Sequence, residues 1–162
     1  MIDSGRVQSI IEPLWWSVSI YDGESEMNSG LEPFSEQQKY VWAVQWYVAE
    51  VENGGHDQFF FNSTGIVWKL ALEGLRAMDC GKFAEILEKA AKRIGGNPSL
   101  DREQRCDEME KYGADFADLD SEFYECDELL YGKTADYIRA NRKAFYFDGT
   151  IDMPETFVSD DN

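Results

Sequence analysis

Apolar residues recur every three or four positions along most of this sequence, and each run closes at glycine or asparagine. A chain patterned this way folds into short packed helices and little else. Tyr40, Val41, Val44, Val48 and Val51 form the first long stripe. Ser35 stands before it as an N-cap. Gln38, three residues on, completes a capping box in which each side chain bonds the other residue's backbone N–H. Asn53, Gly54 and Gly55 end the run, because both residue types accept the left-handed backbone that terminates helices. A short aromatic helix through Phe59, Phe60 and Phe61 is expected next, closed between Asn62 and Gly65. Val67, Leu70, Ala71, Leu75 and Met78 make another stripe, up to Cys80-Gly81. Phe83, Ile86, Leu87, Ala90, Ala91 and Ile94 make a further one, up to Gly95-Gly96.

In the last third, Tyr112, Phe116, Leu119, Phe123, Cys126 and Leu130 step down one helical face, and Tyr137, Ile138 and Phe145 continue the pattern. Gly113 and the stretch Leu119-Asp120-Ser121 are places where this run can break, with Asp120 or Ser121 capping a fresh helix. Only Leu14 to Tyr21 alternates in the manner of a strand, and imperfectly. The predicted fold is all-α: one compact multi-helix domain over residues 1–162, with room for a short extended segment near the N-terminus. There is no internal repeat and no long linker.

Nothing in such a fold calls for its charge. Hydrophobic residues make up 43% of the 162, too many for a disordered acidic chain, yet the formal net charge is −17. Solubility needs a magnitude of only ~2–8 in a small domain. The excess is uneven. Residues 1–57 carry ten acids against Arg6 and Lys39, whereas residues 58–106 carry six acids against eight bases. Residues 107–162 carry sixteen acids against five bases.

The densest run lies between residues 107 and 128, where Lys111 is the single base. It supplies the candidate partner-binding carboxylates: Asp107, Glu108, Asp115, Asp118, Asp120, Glu122, Glu125, Asp127 and Glu128. On one continuous helix, Asp115, Asp118, Glu122 and Glu125 would line up one residue behind the apolar stripe, rising ~4.5–6 Å per step. Phosphates on a DNA strand advance ~3.4 Å along the axis, with a wider gap through space. Such a ladder would set negative charges at roughly phosphate-like intervals. Like charges so placed weaken a helix by ~0.2–0.5 kcal/mol per pair, so they do not serve its stability. The plain alternative is a solvated face.

Other chemistries find little support. The sole histidine, His56, stands beside Asp57, but no nucleophile motif accompanies them, so no catalytic residue is assigned. One histidine and three scattered cysteines give no metal-ligand spacing, and no cofactor is implied. Phosphates of a nucleic acid would meet a surface of their own sign. No apolar run is long enough to span a bilayer, and the first residues lack a secretion signal. Cys80, Cys106 and Cys126, odd in number, are expected to be reduced thiols in a cytoplasmic protein.

The segment from Val51 to Gly65, with Asn53, Gly54, Gly55, Gln58, Phe59, Phe60 and Asn62, resembles the N-G-G-x-x-Q-F-F-x-N signature of a bacterial domain family. Leu119-Asp120 with Phe123-Tyr124, and Tyr137-Ile138 with Asn141, are similar to its C-terminal pattern. The resemblance covers roughly residues 35–147, leaving 1–34 as an N-terminal segment and 148–162 as an acidic tail. It implies a helical domain in which the signature residues are structural: glycines for a turn, Phe rings for the core, Gln and Asn for buried hydrogen bonds. The family includes an acidic DNA mimic that blocks a helix-turn-helix repressor, and this chain is similar to it in length and acidity. The resemblance therefore implies a non-enzymatic partner of a basic DNA-binding protein, such as a repressor dimer, and leaves a homodimer open. Two rivals remain: an immunity protein or antitoxin that blocks a basic nuclease, and a small enzyme using His56.

Overall fold

The computed structural model describes residues 7–126 and 128–150, with the backbone alone at Gln8 and Glu128. The helices are α1 (Val7–Ile10), α2 (Glu12–Ser17), α3 (Glu24–Leu31), α4 (Glu36–Phe61) and α5 (Trp68–Ala77). They continue with α6 (Gly81–Arg93), α7 (Arg102–Tyr112), α8 (Ala117–Tyr124) and α9 (Glu128–Ala140). Short 3-10 turns cover Ser63–Val67 and Arg142–Phe145. The fold is all-α, and no strand occurs among the described residues.

The central element is α4. Its N-terminus forms the expected capping box, with Ser35 Oγ accepting from the Gln38 N–H and Gln38 Oε1 accepting from the Ser35 N–H. Val41, Val44, Val48 and Val51 are buried, and so are Trp42, Ala43 and Tyr47. A helix apolar most of the way round belongs inside a bundle. It packs against α5, α7, α8 and both 3-10 turns, while α6 packs against α5 and α8. At Gly54 and Gly55 the helix breaks and restarts at once, turning the Asn-Gly-Gly stop into a kink between two arms. Gly55 has φ 72°, a conformation that side chains resist, and a Cβ there would strike the Asp120 carboxylate. The second arm buries Phe59 and Phe60 completely. The C-terminal turn returns to the start of α4, where Ser35 Oγ donates to the Ala144 carbonyl at 2.6 Å and Phe147 stacks on Phe34.

Three expectations are corrected. The short extended segment for which the sequence left room does not start at Leu14: Pro13 sits in the first turn of α2, where its fixed φ favours a helix, and residues 12–17 are helical. Leu14 is fully buried and Trp15 packs edge-on against Trp46, while extended backbone begins only at Val18. The ladder of four carboxylates does not lie on one helix: the run breaks at Gly113 as expected, with φ 56° and a left-handed cap on α7, and of Asp115, Asp118, Glu122 and Glu125 only Asp118 and Glu122 lie within α8. Neither Asp120 nor Ser121 caps the next helix. It starts at Ala117, whose N–H is accepted by the Asp115 carboxylate at 3.0 Å.

The aromatic and aliphatic stripes otherwise meet in one core, in which Leu75, Ile86, Leu87, Ile94 and Phe123 are fully or almost fully buried. Each such side chain contributes on the order of 1.5–3 kcal/mol. No helix among the described residues is long and apolar enough to cross a membrane.

Candidate functional site

The kink in α4 sets the geometry of the acidic region. By ending one arm and aiming the next, it buries His56 and leaves the following residue, Asp57, exposed. His56 does not pair with Asp57. Its Nδ1 meets Asp120 Oδ1 at 2.5 Å, its backbone N–H donates to the same oxygen at 2.9 Å, and Tyr47 Oη lies 2.8 Å from Nε2. Burial lowers the His56 pKa against the opposing pull of Asp120, so at neutral pH the ring is uncharged. Nδ1–H then donates to the carboxylate and Nε2 accepts from the Tyr47 hydroxyl. Burial also pushes the Tyr47 pKa well up. With the ring fully buried, this chain of bonds joins α8 to both arms of α4, and only the Asp120 carboxylate reaches solvent.

The run of carboxylates chosen from the sequence divides by partner. Asp118 is held by Arg93 in a two-pronged pair, 2.6 Å on each prong, and that bond drives its pKa far below the carboxylate range. Arg93 also donates to the Asp115 carbonyl at 2.5 Å. Glu122 lies in the field of Lys82, Lys89 and Arg93, and Glu125 in that of Lys82. The α8 acids thus sit along the basic edge of α6. Asp120 is bound to His56, and Glu108 accepts from the Ser99 N–H at 2.8 Å and from Gln104 at 3.1 Å. Asp127 and the Glu128 side chain lie outside the described residues.

A different set stands clear of such pairs. Asp57 on the second arm of α4 and Asp107 and Glu110 on α7 are exposed and line one groove of about 340 Å3 with Phe61, Cys106 and Met109. No lysine or arginine lines it among the described residues. Arg102 packs over the half-exposed Phe61 ring, 5.0 Å from its centre. Sequence reasoning passed over Asp57 and Glu110 as site residues. The one available signal was that Asp57 follows an inward-facing residue and so points outward.

Arg105, also missed, holds α7 in place. Fully buried, it donates to the carbonyls of Phe60 (2.6 Å), Asn62 (2.7 Å), Ser99 (2.8 Å) and Leu100 (3.1 Å). Gln58 and Asn62 both donate to Glu50, at 2.7 and 3.2 Å, tying the second arm to the first across the kink, and Asn53 and Gly54 are exposed at the bend. All three cysteines are free thiols, and burial pushes that of Cys80 up to about 11. Among the described residues no three His, Cys, Asp or Glu side chains gather as a metal site.

The His56 network fixes the acid response. The folded-state pKa of His56 lies below the unfolded value of ~6.5, so the unfolded chain takes up the proton first. Stability is therefore full above that pH and falls as pH drops below it, by at most about 1.4 kcal/mol per pH unit. His56→Gln removes this slope between pH 6.5 and 5 while leaving partner binding intact at neutral pH. Urea unfolding of both proteins across that range checks it. Equal slopes would show that His56 does not control the response.

No curated protein and no solved structure matches the chain. The sequence pattern of the family described as DMP19-like protein matches residues 32–141, well over half of it and nearly the whole region of the signature resemblance. The chain belongs to the DMP19-like protein family, a family of the DNA-mimic type.

Proposed function

We propose that this protein is a non-catalytic DNA mimic. Its carboxylates take the places of phosphates on the DNA-binding face of a basic transcriptional regulator, a helix-turn-helix repressor dimer, and so relieve repression. The observation that carries this reading is the groove of Asp57, Asp107 and Glu110, three exposed carboxylates with no cation lining it among the described residues. Family membership supports the mimic type. The pair-bound Asp118 and Asp120, and Glu122 and Glu125 beside the α6 cations, serve to seat α8 and are not the contact surface in this reading. Complementary charge steers association of this kind, which makes it fast and salt-sensitive.

The test is competition. A pull-down at low salt identifies the regulator, and its operator DNA is then titrated with this protein. DNA is displaced as the protein is added, and the protein complex weakens with salt less steeply than the DNA complex, because folded carboxylates condense fewer counterions than a duplex. A stable ternary complex of regulator, DNA and this protein would rule the reading out.

A further inference from the structure

On the N-terminal part of the molecule a second groove, of about 530 Å3, has a different lining: Trp15, Trp16, Tyr21 and Trp46, with the carboxylate of Glu12. Its size lies within the ~300–1,000 Å3 of small-molecule sites. Trp15 and Trp46 meet at 65° with ring centres 4.3 Å apart, so two ring systems form a corner and not a flat stack. Tyr21 is 75% exposed and Glu12 is exposed, so neither is spent on the core. No lysine or arginine lines the groove among the described residues.

The faces of aromatic rings carry the negative end of a quadrupole, and tryptophan is the strongest of them toward cations. Aromatic rings sharing a groove, two of them meeting at an angle, with a carboxylate in the same lining, attract a large, weakly hydrated organic cation whose methyl groups also fill apolar space. A small metal ion would keep its water and gain little from ring faces. The overall charge of −17 raises the local concentration of any cation further. We infer that the groove of Trp15, Trp16, Tyr21, Trp46 and Glu12 is a binding site for a small quaternary-ammonium compound. This site is separate from the acidic groove and does not depend on the mimic reading.

The test uses choline as the probe and 3,3-dimethylbutan-1-ol, its neutral carbon counterpart of nearly the same shape, as the control. Calorimetric titration at low ionic strength, followed in parallel by tryptophan fluorescence, is expected to show choline binding at least about tenfold tighter than the neutral compound. Tyr21→Ala and Glu12→Gln change exposed side chains, keep the helical circular dichroism, and each weaken choline binding. Equal affinity for the two compounds, no saturable signal from choline, or wild-type affinity in both variants would overturn the assignment. Tighter binding of N-acetyl-arginine amide than of choline would also overturn it, by giving the site to a cationic side chain of a protein.

Discussion

Arg105→Met loses about 3 kcal/mol of stability through the carbonyls it leaves without a donor, a large part of the ~5–15 kcal/mol available to a domain of this size. The arginine sits in α7 with no exposed surface, and its guanidinium donates to four backbone carbonyls. Two of these, from Phe60 and Asn62, belong to the C-terminal end of α4, where unpaired carbonyls and the helix dipole gather negative charge. The other two, from Ser99 and Leu100, belong to the loop that enters α7. One side chain therefore clips a helix end, a loop and a second helix together. Burial lowers its pKa to about 10, which leaves it charged at neutral pH. Methionine would fill part of the volume while taking this donor from the carbonyls of Phe60, Ser99 and Leu100, whereas that of Asn62 keeps the Gly65 N–H at 3.1 Å; a buried orphan costs on the order of 1–3 kcal/mol. Lysine recovers only part of the loss, because a point charge cannot reproduce the planar fork. Urea unfolding checks the value, read from the midpoint at unchanged m. A loss below about 1 kcal/mol would mean that water satisfies the carbonyls as well as the arginine does.

This clip marks where sequence reading stops. The capping box of Ser35 and Gln38, the Asn-Gly-Gly break and the stripes of α5 and α6 are short-range features, written in spacings of three or four residues, and they appear in the structure as read. Arg105 has no such spacing. It lies in the polar stretch Arg102 to Lys111, where nothing distinguishes an inward-facing charge from its neighbours. Arg93 and Asp118 are 25 positions apart, and His56 and Asp120 are 64 apart. Those pairings exist only once α8 packs on α6 and on the kink of α4. Gly113 was legible as a break, but the ladder needed Asp115, Asp118, Glu122 and Glu125 on one helix, and α8 holds only Asp118 and Glu122. A glycine whose left-handed cap ends α7 divides the acids into two helices with different surroundings. The charge excess was legible; which acids are paired with internal cations was not, because that depends on tertiary contacts.

Neutralising the groove acids together, Asp57→Asn with Asp107→Asn and Glu110→Gln, is expected to weaken regulator binding about a hundredfold, with the fold unchanged. Three exposed carboxylates meeting cations of a partner at ~1 kcal/mol each give ~3 kcal/mol, and every ~1.4 kcal/mol is tenfold in affinity. The fold survives because the three side chains are exposed, and fewer like charges then face one another across the groove. Asp118→Asn is the contrasting case. It breaks the two-pronged pair with Arg93, so its effect falls on the seating of α8, and its effect on binding is smaller than that of the groove variant. The difference follows from electrostatics: a carboxylate already matched by a guanidinium projects little field, whereas an unmatched one projects its full charge toward a partner. Binding measured at two salt concentrations separates the roles, since losing surface contacts flattens the salt dependence and losing a positioning pair does not. Unchanged affinity in the folded groove variant would move the mimic surface elsewhere, with the exposed acids of α3, Glu24 and Glu26, next to be tested.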